Sequence, residues 1–141
     1  MLTTGLIHPP LLAALAGAGH GSQVLIADGN FPHSTGANPA AARIHLNLIA
    51  GVLDVDTVLV ALLGAIVVEA ATVMVPPDNA LTAAAAGYRT LIGPEATWRQ
   101  LGRHEFYAAA RGPDVAVVIA TGDERLYANL LLTIGVRPPA R

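Results

Sequence analysis

The stretch Gly19-His20-Gly21-Ser22-Gln23-Val24-Leu25-Ile26-Ala27-Asp28-Gly29-Asn30-Phe31-Pro32 decides how the chain folds. Its apolar run, Val24 to Ala27, is short and does not alternate, which reads as a strand buried on both faces. A strand covered on both faces needs helices above and below the sheet. The surrounding sequence supplies them. Upstream, His8-Pro9-Pro10 leads into Leu11-Leu12-Ala13-Ala14-Leu15-Ala16, a short helix with proline in its first turn and Gly17 or Gly19 to stop it. Downstream, a loop rich in Gly, Asn, Pro and Ser runs from Asp28 to Pro39.

The same alternation continues outward. Arg43 to Leu46 is a weak second strand, and Asp54 or Asp56 can cap a helix through Val58 to Leu63. Ala71 to Val75 reads as a strand closed by Pro76-Pro77. Asp78 or Asn79 is then placed to cap an Ala-rich helix reaching about Leu91, weakened by Gly87. Thr97 to Leu101 is ambiguous, and Glu105 to Ala110 reads as helix. Val115 to Ala120 is a β-branched strand ended by Thr121-Gly122, and Asn129 to Ile134 forms the last strand before Gly135. Strands alternating with helices predict an α/β fold, a largely parallel mixed sheet flanked by helices in three layers. The chain has 141 residues, and with no repeat or linker in view it reads as a single domain over residues 1–141.

Composition excludes several functions. Hydrophobic residues make up 53% of the chain, and its mean hydropathy is +0.53. A monomer of this size would leave much of that surface wet, so a homo-oligomer is expected. Net charge is -2 with no basic cluster, which argues against nucleic acid. The longest apolar stretch, Val58 to Val68, ends at Glu69, well short of the ~20 residues that cross a bilayer. With no secretory-type leader either, the expected location is cytoplasmic.

Two residue types are missing. Without cysteine there are no disulfides, thiolate metal sites or Cys nucleophiles. All eight basic residues are Arg, which removes Schiff-base chemistry and the P-loop lysine. Chemistry is left to His, carboxylates, Arg, Tyr and hydroxyls. The glycines at 17, 19 and 21 do not make a dinucleotide fingerprint, because that motif follows a strand and opens a helix, and here the order is reversed. The five histidines lack paired ligand spacing, so no metal is expected, and neither Ser22 nor Ser34 sits in a nucleophile elbow.

That leaves the histidine and aspartate at the two ends of the run. Ligands of open α/β sheets bind at the carboxyl ends of strands, where Asp28 falls. His20 lies at the other end. Four to five strand residues at ~3.3 Å each keep the two apart within one subunit, unless the loop folds back or two subunits complete one site. The plainer reading, favoured on composition alone, is that His20 bonds a turn and Asp28 caps a loop. A second cluster comprises Arg103-His104-Glu105-Phe106-Tyr107 and Thr121 through Asn129. Its Arg, Tyr and Asn side chains suit the hydroxyls of a neutral sugar or polyol better than a phosphate.

An early Pro-Leu-Leu helix, Gly19-His20-Gly21, Ile26-Ala27-Asp28, Asn30-Phe31-Pro32, Thr121-Gly122 and Tyr127-Ala128-Asn129 occur in one order and spacing. Together they resemble the ribose-pyranase and fucose-mutarotase family over nearly the whole chain. The resemblance implies a cofactor-free isomerase that interconverts anomers or ring forms of free monosaccharides, built as a ring-like oligomer, an octamer or decamer, with sites at subunit contacts. By position it implies His20 as proton donor, and Asp28, Tyr127, Ala128 and Asn129 as sugar-binding residues. Arg103, in the Arg-x-x-Phe-Tyr pattern, is similar to the fucose branch, so L-fucose mutarotation is the expected activity. D-ribose pyranase activity, or a non-catalytic sugar-binding accessory to transport, are the alternatives.

Overall fold

The computed structural model describes residues 1–140. Its elements follow the order α1 (Pro9–Gly17), β1 (Gln23–Ala27), β2 (Ala42–His45), α2 (Val55–Leu63), β3 (Val68–Met74), α3 (Ala83–Ile92), β4 (Thr97–Leu101), α4 (Arg103–Ala110), β5 (Val115–Ala120) and β6 (Leu130–Ile134). The six strands form one sheet in the order β2-β5-β1-β6-β3-β4. β1 and β2 run parallel to β5, and β3 to β4, while β6 is antiparallel to both of its neighbours. Five strands therefore point one way and β6 points the other. The expected largely parallel mixed sheet is present.

Strand alternation divides the core into two layers. Val24 and Ile26 of β1 face one cluster, with Leu11 of α1, Leu59 of α2 and Tyr88 of α3. Leu25 and Ala27 face the other, with Phe106 and Ala110 of α4. Three helices cover one face and one helix covers the other, which makes the three layers. Phe106 is fully buried and anchors α4. Its truncation to Ala would cost about 3–5 kcal/mol.

Most helix starts follow local chemistry. Asp54 caps α2 by accepting from the Thr57 N–H, the first of the two expected caps. The cap of α3 is neither Asp78 nor Asn79 but Thr82, whose hydroxyl accepts from the Ala85 N–H at 3.1 Å. Asp78 and Asn79 are used one turn earlier: Asp78 accepts from the Ala80 N–H, and Asn79 donates its N–H to Pro76 at a φ of 59°. The ambiguous segment Thr97–Leu101 is an edge strand, largely exposed and so without a clean apolar pattern. Among the described residues no helix is long and apolar enough to cross a membrane.

Candidate active site

Because five strands share a direction, their carboxyl ends and the amino end of β6 meet along one edge of the sheet. Asp28 follows β1 there and Asn129 precedes β6. The two strands are paired, which brings residues a hundred positions apart into contact. The Asp28 N–H donates to Asn129 Oδ1 at 2.8 Å.

Asp28 is buried, 3% exposed, and its carboxylate ties two loops together. Oδ1 accepts from the N–H groups of Asn30 and Phe31, both at 3.0 Å, and Oδ2 accepts from the Ala128 N–H at 3.3 Å. Burial pushes its pKa up, the three N–H groups pull back, and the nearby Asp123 charge adds a smaller push; the net shift is upward. A carboxylate offers about four acceptor sites, so one remains for a ligand hydroxyl.

The loop from Thr121 to Asn129 is held with equal care. Thr121 Oγ1 donates to the Ala27 carbonyl at 2.8 Å, and the Gly29 N–H donates to the Asp123 carbonyl at 2.8 Å. The buried Asp123 carboxylate accepts from the Val55 N–H, the first residue of α2, and from the Arg125 N–H, Nε and Nη2 at 2.7–3.0 Å. Burial works to raise the Asp123 pKa, but the Arg125 guanidinium and the backbone donors outweigh it and hold it below 3.8. Arg125 also pairs with Asp56. Tyr88, whose phenol burial pushes far up, donates to the Ala128 carbonyl at 2.8 Å. Tyr127 sits within this loop at a φ of 56°, a left-handed conformation that bulky side chains seldom adopt.

These segments enclose a cleft of about 200 Å3 whose walls include Asp28, Asn30, Arg103, Tyr107, Tyr127 and Asn129. That volume suits a ligand smaller than a drug. Asn30 also lines a second cleft of about 380 Å3 that reaches Asn47 and Glu124, and Arg103 and Tyr127 also line a third. The Arg103 guanidinium lies 5.5 Å from the Tyr107 ring centroid, and Tyr107 packs edge-on to Phe31 at 5.6 Å. Asn129 spends its oxygen on Asp28, and its amide nitrogen has no hydrogen bond among the described residues. Arginine guanidinium, tyrosine hydroxyls, an amide donor and a carboxylate acceptor are what a ring of sugar hydroxyls can engage.

The structure thus brings Asp28, Arg103, Tyr127 and Asn129 together. Ala128 lies buried beneath them and contributes its backbone. Tyr107, part of the second cluster read from the sequence but not among its expected sugar-binding residues, joins them. Its place four residues after Arg103 on one helix face was the available signal. His20 is elsewhere. It stands at the amino edge, on the turn before β1, where its Nε2 meets Glu69 Oε2 at 2.9 Å. β1, five residues at about 3.3 Å each, separates it from Asp28. The loop does not fold back.

A mixed α/β sheet with a polar cleft at its strand ends, lined by hydroxyl-reading side chains, defines a small-molecule-binding α/β protein. Within that class, the chain belongs to the RbsD / FucU transport protein family, whose model matches residues 1–137. Among its relatives is a fucose mutarotase from Bos taurus, 34% identical over 95% of this chain and 92% of the relative. A D-ribose pyranase from Paracidovorax citrulli is 33% identical over 96% and 98%. Similar solved structures include Bacillus subtilis RbsD complexed with D-ribose, at a TM-score of 0.82 and 26% identity, covering 97% of this chain and 99% of that one. The fucose mutarotase of Streptococcus pneumoniae in complex with L-fucose aligns at 0.79 and 26%, covering 94% and 95%.

Proposed function

We propose that the protein is a cofactor-free mutarotase that interconverts the anomers of a free monosaccharide, L-fucose, in the cytoplasm. The observation that carries this reading is the convergence of Asp28, Arg103, Tyr127 and Asn129, from separate segments, on one strand-end cleft. Arg103 favours fucose over ribose, as the sequence pattern around it does. D-ribose is the second reading, supported by the D-ribose pyranase relative and the ribose-bound Bacillus subtilis structure. Binding without turnover, as a transport accessory, is the third outcome that the assay below separates.

Mutarotation needs only proton transfer. The anomeric hydroxyl loses its proton as the ring oxygen gains one, and the C1–O5 bond breaks to give the open aldehyde. Rotation about C1–C2 and reclosure on the opposite carbonyl face complete the exchange. In this scheme the protonated His20 ring delivers its proton to the ring oxygen, since an imidazole is the natural acid/base near neutral pH, and solvent water takes up the proton of the anomeric hydroxyl. Asp28, Asn129 and Arg103 orient hydroxyls, and Tyr127 and Tyr107 flank the sugar.

His20 reaches the cleft from a neighbouring copy. Two observations support this. The His20 side chain is 58% exposed on the edge opposite the cleft. Exposed apolar residues mark both edges, with Leu48, Ile49, Val52 and Leu126 near the cleft and Val67 and Val136 near His20. A contact of one edge against the other is head-to-tail, and such contacts form rings when the rotation between copies closes. The ring-like homo-oligomer belongs to this proposal.

Magnetisation-exchange NMR between sugar forms, with catalytic amounts of protein, tests the reading. Accelerated exchange of L-fucose anomers is expected, and H20A should lose at least ~10²-fold of it with oligomer size unchanged. Exchange on D-ribose alone would move the assignment to a pyranase. Binding without exchange on either sugar, or full exchange by H20A, would contradict it.

A further inference from the structure

At the amino edge a histidine and a glutamate from different strands are set against each other, and the backbone is bent to do it. His20 rides on a turn fixed at three points: the Gly21 N–H donates to the Ile134 carbonyl at 2.9 Å, the Ser22 N–H to the Gly19 carbonyl at 3.0 Å, and the Gly19 N–H to Ser22 Oγ at 3.3 Å. Gly21 has a φ of 85°, which glycine adopts without strain. Glu69 sits where the pairing of β3 with β6 slips between Val68 and Ala70. Val68 and Ala71, three residues apart, both face the same core cluster, so strand alternation is broken between them. Bulges of this kind re-aim a side chain, and here Glu69 is aimed at His20.

The pair does little for stability. Both side chains are roughly half exposed, 58% and 44%, and solvent-exposed ion pairs contribute little. Its geometry has a chemical consequence instead. An ionised carboxylate only accepts hydrogen bonds, so the 2.9 Å contact requires the proton of the neutral ring to be on Nε2. Nδ1, which has no partner among the described residues, is then the nitrogen left to exchange a proton with a ligand. A carboxylate behind an imidazole fixes both its tautomer and its orientation.

We propose that Glu69 is the positioning residue of His20, accepting from Nε2–H so that Nδ1 is the atom that exchanges protons with the sugar, bare when the ring is neutral and carrying the delivered proton when the ring is protonated. This rests on the mutarotase reading above. No other carboxylate lies on β3 or on its neighbours β4 and β6, and Glu69 is the one hydrogen-bond partner of the ring among the described residues.

Two readouts on the intact oligomer test the assignment. In 15N spectra, the His20 ring signals, identified by their loss in H20A, should be those of a single Nε2–H form in the wild type and should move toward tautomer-averaged values in E69A. Anomer exchange on L-fucose should fall about tenfold or more in E69A, with KM for the sugar unchanged. E69Q, which keeps an acceptor oxygen, should recover most of the rate. E69D, shorter by one methylene, serves in place of E69A if that variant does not assemble. Unchanged ring signals in E69A or E69D, or an unchanged rate, would overturn the assignment. Full exchange by H20A would instead remove the mutarotase reading, while the ring signals would still judge the pairing on its own.

Discussion

The two edges of the sheet are built in opposite ways. At the carboxyl edge, polar groups are buried and cross-linked: Asp28, Asp123 and Asn129 are each 3% exposed, and every one of them is hydrogen-bonded to another segment. At the amino edge a single exposed imidazole is braced by a single exposed carboxylate. The first edge holds a polar cleft that lacks a histidine on its wall. The second is a braced histidine that is absent from the walls of the clefts described above. Under the proposed function, binding and proton transfer are divided between two ends of one strand, and a second copy reunites them.

Three changes to the carboxyl edge sharpen that contrast. N129A has the largest expected effect. It leaves the buried Asp28 N–H without its acceptor and removes a sugar contact, each costing about 1–3 kcal/mol, so catalytic efficiency should fall about 10²-fold with the oligomer intact. Near-normal efficiency would mean that the cleft is not where the sugar binds.

D123N comes next, because it takes the charge from the group that joins α2, Arg125 and the 121–129 loop. Hydrogen bonds to charged groups contribute about 1.5–3 kcal/mol, so a loss of about 2 kcal/mol is expected in urea unfolding at pH 7. The sign with pH follows from the lowered pKa of Asp123. The stability it contributes is fully present above 3.8 and is lost as pH falls through the still lower folded value. The gap between wild type and D123N should therefore close in acid. A gap that stays constant there would show that the charge is not what stabilises the loop.

The smallest effect belongs to Tyr127. At a φ of 56° its backbone strain is about 1 kcal/mol. Y127G relieves that strain but gives up the packing of the Tyr127 side chain against the Leu25–Phe106 cluster, so thermal stability should change by no more than about 1 kcal/mol while sugar binding weakens. A variant unchanged in KM would exclude Tyr127 from the site.

Much of this was legible in the chain itself. Val115–Ala120 and Val24–Ala27 are apolar without alternation because helices cover both faces, and those runs define the sheet. Edge strand β4 was not legible, because exposure lets Arg99 and Gln100 interrupt its pattern. The cap of α3 was misplaced because Asp78 and Asn79 satisfy a turn as readily as a helix, and only the Asn79 N–H bond to Pro76 reveals which. At the strand-end cleft, Asp28 and the 103–107 and 121–129 clusters stood out by residue type and position, while sugar-binding roles for Asp28, Arg103, Tyr127 and Asn129 came only with the family resemblance. Their joining through the antiparallel strand β6 was not legible, since pairing across a hundred residues leaves no local trace. The separation of His20 from Asp28 follows from strand length alone. The partnership with Glu69 depends on a bulge that no periodicity announces.

Mixing the two damaged edges tests the central claim most directly. H20A and N129A chains, co-expressed with different tags and purified as doubly tagged oligomers, would each be deficient alone. If each site joins one chain's cleft to its neighbour's histidine, random assembly gives about one quarter of sites both intact parts, and exchange on L-fucose should recover to about a quarter of wild type. Recovery no greater than the average of the two parents would contradict a site shared between copies.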